Sequence, residues 1–317
     1  MVKSVFGGFP ISDSANFNTP EIRERLLNLL LTNGVTNIDT ARAYPGSEVA
    51  IGALDKRTSF AIDTKLVSGF APGSSTKDAV IRDSQDSLDK VKIKQFDILY
   101  LHAPDTLIPF EETLEGINEV YKKGIFKRFG VSNFSAEQVQ QVYDIAKAKG
   151  YPLPQVYQGH YNPIARHLET QLFPTLRKLG IAFYAYSPLA GGFLTKTAAD
   201  LDAGAGRFNA QTLGGVYKLM YDKPSFRAVL SKWDEVAQKE GVPKAELAYR
   251  WMAYHSHLQS EEDGVIFGAS NLEQTKQTAH ALKKGKLSAD AVKSIEEIWR
   301  SIEADASLDI VTSSQGA

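Results

Sequence analysis

The sequence has 317 residues, of which 43% are hydrophobic and 23% are charged, and its formal net charge is −1. A chain of this length and composition can bury a large core, whereas its near-zero charge excludes a nucleic-acid binder that depends on an excess of basic residues. Cysteine is absent, which excludes disulfides, thiolate catalysis and cysteine-ligated metal.

No apolar run near the start approaches the roughly 20 residues that a membrane span requires. Residues 1–20 also lack the basic segment followed by an apolar segment that marks a secretory signal peptide. We therefore expect a soluble, cytoplasmic protein that binds neither nucleic acid nor a membrane.

Short apolar runs alternate with longer amphipathic segments along the chain. The short runs predict strands over 3–7, 35–39, 60–64, 96–101, 126–131, 155–158, 181–186 and 264–267. The runs 96–101 and 181–186 are apolar at almost every position, which is typical of parallel strands that are covered on both faces.

Amphipathic helices are predicted between these strands. Thr19 and Pro20 open the first one as N-cap and first helical residue, and Gly34 follows its end. Further helices are predicted over 77–91, 111–123, 135–149 and 168–179, and from Asn271 onward. Because strands and helices alternate without a composition break or a long linker, the sequence predicts an α/β fold, a (β/α)8 TIM barrel that forms a single domain over residues 1–317.

Two regions depart from the alternation. Residues 193–224 are rich in Gly, Ala and Asp and are too long for a simple connection, and residues 288–317 read as an extra helix and a polar tail. Long loops at the carboxyl-terminal face of a barrel usually shape its binding site, so we expect 193–224 to be a long cofactor or substrate loop.

Polar side chains follow three consecutive predicted strands. Asp39 and Tyr44 come after the second strand, Lys65 ends the third, and His102 ends the fourth. A tyrosine hydroxyl has a pKa of about 10, and a neighbouring ammonium group lowers that value. A carboxylate can hold the ammonium group in place, and an imidazole can orient a carbonyl oxygen. Together these groups would donate a proton to a carbonyl that is receiving a hydride.

These residues stand in motifs that resemble the aldo-keto reductase superfamily from about residue 4 to about residue 285. The motifs are Asn37-Ile38-Asp39-Thr40-Ala41-Arg42-Ala43-Tyr44, Asp63-Thr64-Lys65, Leu99-Tyr100-Leu101-His102, Phe129-Gly130-Val131-Ser132-Asn133-Phe134 and Tyr184-Ala185-Tyr186-Ser187-Pro188-Leu189. Three further segments are most similar to the aflatoxin-aldehyde-reductase branch: Tyr100-Leu101-His102-Ala103-Pro104-Asp105, Val156-Tyr157-Gln158-Gly159 and 183–192.

The resemblance implies a monomeric or dimeric barrel that reduces aldehydes and ketones to alcohols with NADPH. It implies that Tyr44 is the general acid, that Lys65 and Asp39 tune it, and that His102 orients the substrate carbonyl. It also implies a cofactor site in which Ser132, Asn133 and Gln158 hold the nicotinamide carboxamide and Tyr186 stacks on the ring. Residues Ser187, Leu189 and Gly191 would line the pyrophosphate, and Gly268, Ser270, Gln274 and Gln277 would surround the adenosine phosphate.

The sequence departs from the aldose-reductase branch where that branch offers Lys and Arg to the 2′-phosphate, because the matching positions here are Gly268 and Gln274. A cation must then come from elsewhere, since a phosphate needs a guanidinium or an ammonium group for selective binding. Lys196 and Arg207, both in the long loop, are the candidates.

The remaining histidines show no metal-ligand spacing with acidic partners, and no GxGxxG motif follows the first strand, so neither a metal site nor a Rossmann site is predicted. Two alternative functions stay open. One is a cofactor-binding regulatory subunit like the barrel β-subunits of potassium channels. Turnover of a generic aldehyde with NADPH would distinguish a reductase from such a subunit. The other is an alcohol or pyridoxine-type dehydrogenase that works in the oxidising direction.

Overall fold

The computed structural model describes residues 2–209, 211–259 and 261–315. Within these ranges it contains the strands β1 Lys3–Gly7, β2 Asn37–Asp39, β3 Ala61–Leu66, β4 Phe96–Leu101, β5 Phe126–Ser132, β6 Pro154–His160, β7 Ala182–Tyr186 and β8 Gly264–Phe267. Every predicted strand is therefore confirmed, with small shifts at the ends.

The same ranges contain the helices α1 Pro20–Thr32, α2 Ser47–Gly52, α3 Lys77–Val91, α4 Phe110–Lys122, α5 Ala136–Lys149, α6 Leu168–Gln171, α7 Phe173–Leu179, α8 Ala198–Asp202, α9 Val216–Tyr221, α10 Pro224–Glu240, α11 Lys244–Tyr254, α12 Leu272–Ala281, α13 Ala289–Ile302 and α14 Ile310–Gln315. Their caps follow the sequence. The Thr19 hydroxyl accepts a hydrogen bond from the Ile22 amide, and Ser135 and Gln138 form a capping box.

The strands form one closed parallel barrel in chain order, in which β1 pairs with both β2 and β8. The (β/α)8 TIM barrel predicted from the sequence is confirmed. In such a barrel the carboxyl ends of all strands meet at one face, and the loops that follow them surround a common site.

The barrel interior is filled by side chains that point inward from several strands. Tyr100 lies directly against Gly130, where an added Cβ would stand 2.3 Å from the tyrosine ring, so the glycine makes room for that ring. A second, larger core lies between the strands and the surrounding helices. The apolar residues of the interior layer are Val5, Ile98, Tyr100, Val156, Tyr184 and Ile266.

The predicted continuous helix over 168–179 is wrong, because the structure has two short helices there, α6 and α7. Pro174 is the physical reason. It has no amide hydrogen to donate to the carbonyl four residues earlier, and its ring would collide with that carbonyl. The chain therefore breaks at Leu172, and Pro174 lies in the first turn of the second helix.

Residues 193–224 are not a plain loop, since they contain α8 and α9 together with short 3-10 turns. Helix α9 buries Val216, Tyr217, Met220 and Tyr221, which anchors the segment. At the carboxyl-terminal end α13 forms as predicted, and the polar tail contains a further short helix, α14, that packs against α9. None of the helices in the described ranges is long and apolar enough to cross a membrane.

Candidate active site

Tyr44, Asp39, Lys65 and His102 meet at the carboxyl-terminal face of the barrel. Lys65 donates hydrogen bonds from Nζ to Asp39 Oδ2 at 2.6 Å and to the Thr40 carbonyl at 2.8 Å. The same ammonium group lies 5.0 Å from the centre of the Tyr44 ring. The Tyr44 ring in turn meets the His102 ring edge to face, with 6.1 Å between their centres.

Lys65 is fully buried and is nevertheless charged. Burial acts to lower the pKa of Lys65, but the carboxylate of Asp39 and the neighbouring Tyr44 outweigh it, so that the pKa lies above its ordinary value. Asp39 is itself 2% exposed, so the ion pair lies inside the protein, where a charge without a partner would be very costly.

The pKa of Tyr44 is the result of opposing effects. Burial of the hydroxyl raises this pKa above its ordinary value, while the charge of Lys65 lowers it. Lys65 therefore acts in the direction that the sequence predicts, but burial is the stronger effect and the net shift is upward. The Tyr44 hydroxyl consequently keeps its proton at neutral pH, which is the state that a proton donor needs.

His102 is neutral at physiological pH. Burial and the positive charge of Lys65 hold its pKa well below the ordinary value for histidine. A neutral imidazole carries one N–H and one bare nitrogen, so it can donate a single hydrogen bond to an oxygen. Its Nδ1 is buried and has no hydrogen-bond partner among the described residues.

Asn133 joins the strand ends around His102. Its backbone is left-handed, with φ of 60°, and its Nδ2 donates to the His102 carbonyl at 2.9 Å and to Ser132 Oγ at 3.1 Å. The Tyr186 hydroxyl donates to Asn133 Oδ1 at 2.8 Å. Three of the predicted nicotinamide residues thus form one network that is joined to the His102 carbonyl.

Gln158, the fourth predicted nicotinamide residue, is 3% exposed and lies on the other side of the ion pair. Its Nε2 donates to Asp39 Oδ1 at 2.9 Å, so the two oxygens of Asp39 bind Gln158 and Lys65 separately. The predicted cofactor residues and the predicted catalytic residues therefore share hydrogen bonds directly.

The turn after β7 has an unusual backbone. Ser187 and Ala190 have φ values of 58° and 53°, and Gly191 and Gly192 have values of 68° and 100°. Left-handed conformations are strained for residues other than glycine and cluster at functional sites. Successive backbone N–H groups in such turns can form a concave anion-binding site, which agrees with the predicted pyrophosphate positions Ser187, Leu189 and Gly191.

The predicted adenosine-phosphate residues lie together after β8 and are exposed. Asn271 caps α12 by accepting from the Gln274 amide at 2.9 Å, and Gln274 Oε1 accepts from the Ser270 amide at 3.0 Å. Gln277 donates to Glu273 Oε1 at 3.1 Å. A Cβ added at Gly268 would have no neighbouring atom within 4 Å.

The two predicted cations lie in different surroundings. Lys196 ends the 3-10 turn Ala190–Thr195, and its carbonyl accepts a hydrogen bond from Lys244 Nζ at 3.2 Å. Arg207 Nη1 donates to the Tyr217 hydroxyl at 3.0 Å, and its guanidinium lies over the Phe9 and Tyr217 rings. No hydrogen bond within the described ranges joins Arg207 to residues 268–277.

Sequence reasoning missed the aromatic walls of the site. The Phe9 ring lies edge to face on Tyr44 with 5.3 Å between centres, and the Phe70 ring lies 4.6 Å from His102. Both rings remain partly exposed, at 38% and 49%. Their signal in the sequence was weak, because each is a single aromatic residue in the loop after β1 or β3.

Comparison with known proteins agrees with this geometry. The aldo/keto reductase family model matches residues 4–300. Oxidoreductase sirO from Leptosphaeria maculans is 39% identical over 93% of this chain and 95% of its own length. The human proteins aldo-keto reductase family 7 member A3 and aflatoxin B1 aldehyde reductase member 4 are 37% and 36% identical, each over 85% of this chain and 86% of its own length.

An eight-stranded barrel with these side chains at its carboxyl-terminal face is the framework of an oxidoreductase that acts on carbonyl compounds. The chain belongs to the aldo/keto reductase family. The resemblance to its aflatoxin-aldehyde-reductase branch is confirmed.

A second buried acid lies below the ion pair. Asp63, two residues before Lys65 on β3, is fully buried, and its Oδ1 accepts a hydrogen bond from the Ile98 amide at 3.2 Å. Its Oδ2 and the Tyr100 hydroxyl are both buried without a hydrogen-bond partner in the described chain. Burial, reinforced by the charges of Asp39 and Asp97, raises the pKa of Asp63 well above its ordinary value.

We predict that Asp63→Asn gains stability relative to the wild type, and that this gain increases as the pH rises. A carboxyl group with a raised pKa in the folded state binds more protons when folded, so wild-type stability falls as the pH rises from about 4 toward the raised pKa. Asparagine does not titrate and retains an oxygen for the Ile98 amide. Thermal unfolding of both proteins between pH 4 and pH 8 should show a difference that grows with pH.

The matched control is Asp144→Asn, which removes an exposed carboxylate on α5 that is not among the groups acting on Asp63. It should show no gain in stability with pH. A constant difference between Asp63→Asn and the wild type over the whole range would mean that Asp63 does not titrate abnormally.

Proposed function

We propose that the protein reduces the carbonyl group of small aldehydes and ketones to an alcohol with NADPH, and that Tyr44 is the general acid. The observation that carries this proposal is the buried Lys65–Asp39 ion pair beneath a tyrosine that keeps its proton. A purely structural ion pair would not need a neutral imidazole and an aromatic entrance around the same hydroxyl.

The chain's own groups fit a nicotinamide cofactor. In the left-handed turn from Ser187 to Gly192 the Ala190 and Gly192 amides donate to the Ser187 and Leu189 carbonyls, which leaves the Leu189 and Gly191 amides for a pyrophosphate. Tyr186 offers a ring for stacking. Ser132, Asn133 and Gln158 offer the hydrogen-bonding groups that a carboxamide requires. When bound, the reduced cofactor supplies the hydride.

In the proposed reaction Tyr44 transfers its hydroxyl proton to the carbonyl oxygen of the substrate. The Lys65 ammonium stabilises the phenolate that remains, and Asp39 keeps that ammonium charged and in place. The N–H of neutral His102 donates to the same carbonyl oxygen and orients it. The same groups serve alcohol oxidation in reverse, with the Tyr44 phenolate as the base.

The entrance supports a carbonyl substrate with an apolar body. Phe9 and Phe70 present partly exposed rings on the two sides of Tyr44 and His102. Apolar walls with a few polar groups at one end are typical of small-molecule sites. Assays of aldehydes, dialdehydes and ketones by the absorbance of NADPH would identify the preferred class and would separate an enzyme from a cofactor-binding regulatory subunit.

Tyr44→Phe should lower kcat on an aldehyde by about 10²–10⁴-fold, because general acid catalysis contributes an acceleration of that order. Binding of NADPH, measured by fluorescence titration, should change little. Tyr121→Phe, which removes a hydroxyl from a partly exposed tyrosine in α4, is the matched control and should retain wild-type kcat. Wild-type kcat in Tyr44→Phe would assign the proton donor to another group.

Lys65→Met should move the alkaline limb of the kcat–pH profile to higher pH and lower kcat strongly, because burial raises the pKa of Tyr44 and the charge of Lys65 opposes that rise. Lys65→Arg, which keeps a positive charge, should shift the limb less. Circular dichroism would show that each variant is folded. Unshifted alkaline limbs in folded variants would mean that this ion pair does not affect the pKa of the catalytic acid.

Lys196→Ala should raise the KM for NADPH by roughly tenfold to a hundredfold, the cost of one hydrogen bond to a charged group. Only NADPH carries the 2′-phosphate, so the KM for NADH should stay near its wild-type value. The proposal is that Lys196 supplies the charge that Ser270 and Gln274 lack, since it follows the Ser187 turn closely along the chain. Equal changes for both cofactors, or none, would remove Lys196 from the phosphate site.

A further inference from the structure

Tyr217 on α9 packs against the turn that follows β7. It is 2% exposed, and its ring lies so close to Gly191 that an added Cβ there would stand 2.2 Å from the ring. Its hydroxyl is 2.7 Å from Ser187 Oγ. The ring thus supports the glycine side of the turn, and the hydroxyl contacts its first left-handed residue.

The same hydroxyl binds Arg207. The guanidinium donates from Nη1 to Tyr217 Oη at 3.0 Å, and its carbon lies 5.2 Å from the Tyr217 ring centre and 5.9 Å from the Phe9 ring centre. Arg207 forms no ion pair with any carboxylate in the described ranges. A partly buried guanidinium with one neutral hydrogen-bond acceptor retains several unused donors, which suits an anionic ligand.

The hydrogen bonds determine which way the hydroxyl groups of Tyr217 and Ser187 donate. Because Arg207 can only donate, the Tyr217 oxygen accepts that bond, and the Tyr217 hydrogen is then free to donate to Ser187 Oγ. Ser187 in turn keeps its own hydrogen for another acceptor. The chain from Arg207 through Tyr217 to Ser187 therefore ends in a donor, and a cation at its start strengthens each bond along it.

We propose that Tyr217 is a positioning residue, whose hydroxyl holds Ser187 and Arg207 so that both donate to one bound anion, the pyrophosphate of the nicotinamide cofactor. This inference rests on the proposed function. It assigns Arg207 to a part of the cofactor that NADPH and NADH share, because its hydrogen bond leads to the Ser187 turn rather than to the residues after β8.

Tyr217→Phe tests the proposal, since it removes the hydroxyl and keeps the ring against Gly191. The dissociation constants of NADPH and NADH, measured by fluorescence titration, should both rise by about tenfold, as expected for weakened contacts to a charged group. kcat at saturating NADPH should stay close to the wild-type value. Binding of adenosine 2′-monophosphate, which has no pyrophosphate, should not change.

A double-mutant cycle separates positioning from a general loss of packing. Arg207→Ala should weaken the binding of both cofactors, and adding Tyr217→Phe to it should weaken binding by less than Tyr217→Phe does in the wild type, because the hydroxyl then holds only Ser187. Tyr161→Phe is the matched control, since it also removes a buried tyrosine hydroxyl. That hydroxyl contacts Glu169 Oε1 at 2.7 Å and the His257 amide at 3.1 Å, so this variant should keep wild-type cofactor affinity.

The outcomes are distinct. Unchanged affinity in Tyr217→Phe, fully additive losses in the double variant, or an equal loss in Tyr161→Phe would overturn the positioning role. A loss confined to NADPH would assign Arg207 to the 2′-phosphate and would also overturn it. Failure of the wild-type protein to bind either cofactor would instead refute the proposed function itself.

Discussion

The burial of one ammonium group imposes the main constraint on this site. Lys65 is fully enclosed within a barrel of mostly apolar side chains, and such a charge is tolerated only with a close partner and satisfied hydrogens. Asp39 and the Thr40 carbonyl supply these contacts from the neighbouring strand and its loop. Parallel pairing aligns Asp39 with Asp63 on β3, so the barrel register brings the partner to the correct edge.

The surrounding hydrogen bonds extend from this ion pair in two directions. Gln158 ties β6 to the second oxygen of Asp39. Asn133 ties the end of β5 to the carbonyl of His102 and to the hydroxyl of Tyr186. Side chains from distant parts of the sequence therefore hold the imidazole, the tyrosine and the ammonium group in fixed relation, and groups on strands are held more rigidly than groups on free loops.

Segment 193–224 is attached to the same face in a different way. Tyr221 is joined to His160 at the end of β6, and Tyr217 is joined to Ser187 at the end of β7. Burial lowers the pKa of His160 to about 3, so this contact stays neutral through the physiological range. The segment is thus anchored by neutral hydrogen bonds and aromatic packing, and Arg207 brings a positive charge to it.

The sequence by itself determined the barrel, the strand ends and the chemical types at those ends, because period-two and helical patterns, caps and turn residues are local signals. It also placed Tyr44, Lys65, Asp39 and His102 at one face, since parallel strands share a carboxyl-terminal edge. Even the break before α7 had a local cause, Pro174, although the apolar pattern concealed it.

Only the tertiary structure decided the upward shift of the Tyr44 pKa, because burial depends on which distant loops cover the hydroxyl. The positions of Phe9 and Phe70 at the entrance and the raised pKa of Asp63 likewise depend on the tertiary structure. Tyr217 and Arg207 meet Ser187 through contacts between segments without any periodic pattern. Such contacts follow from the packing of the whole chain, which no short stretch of sequence encodes.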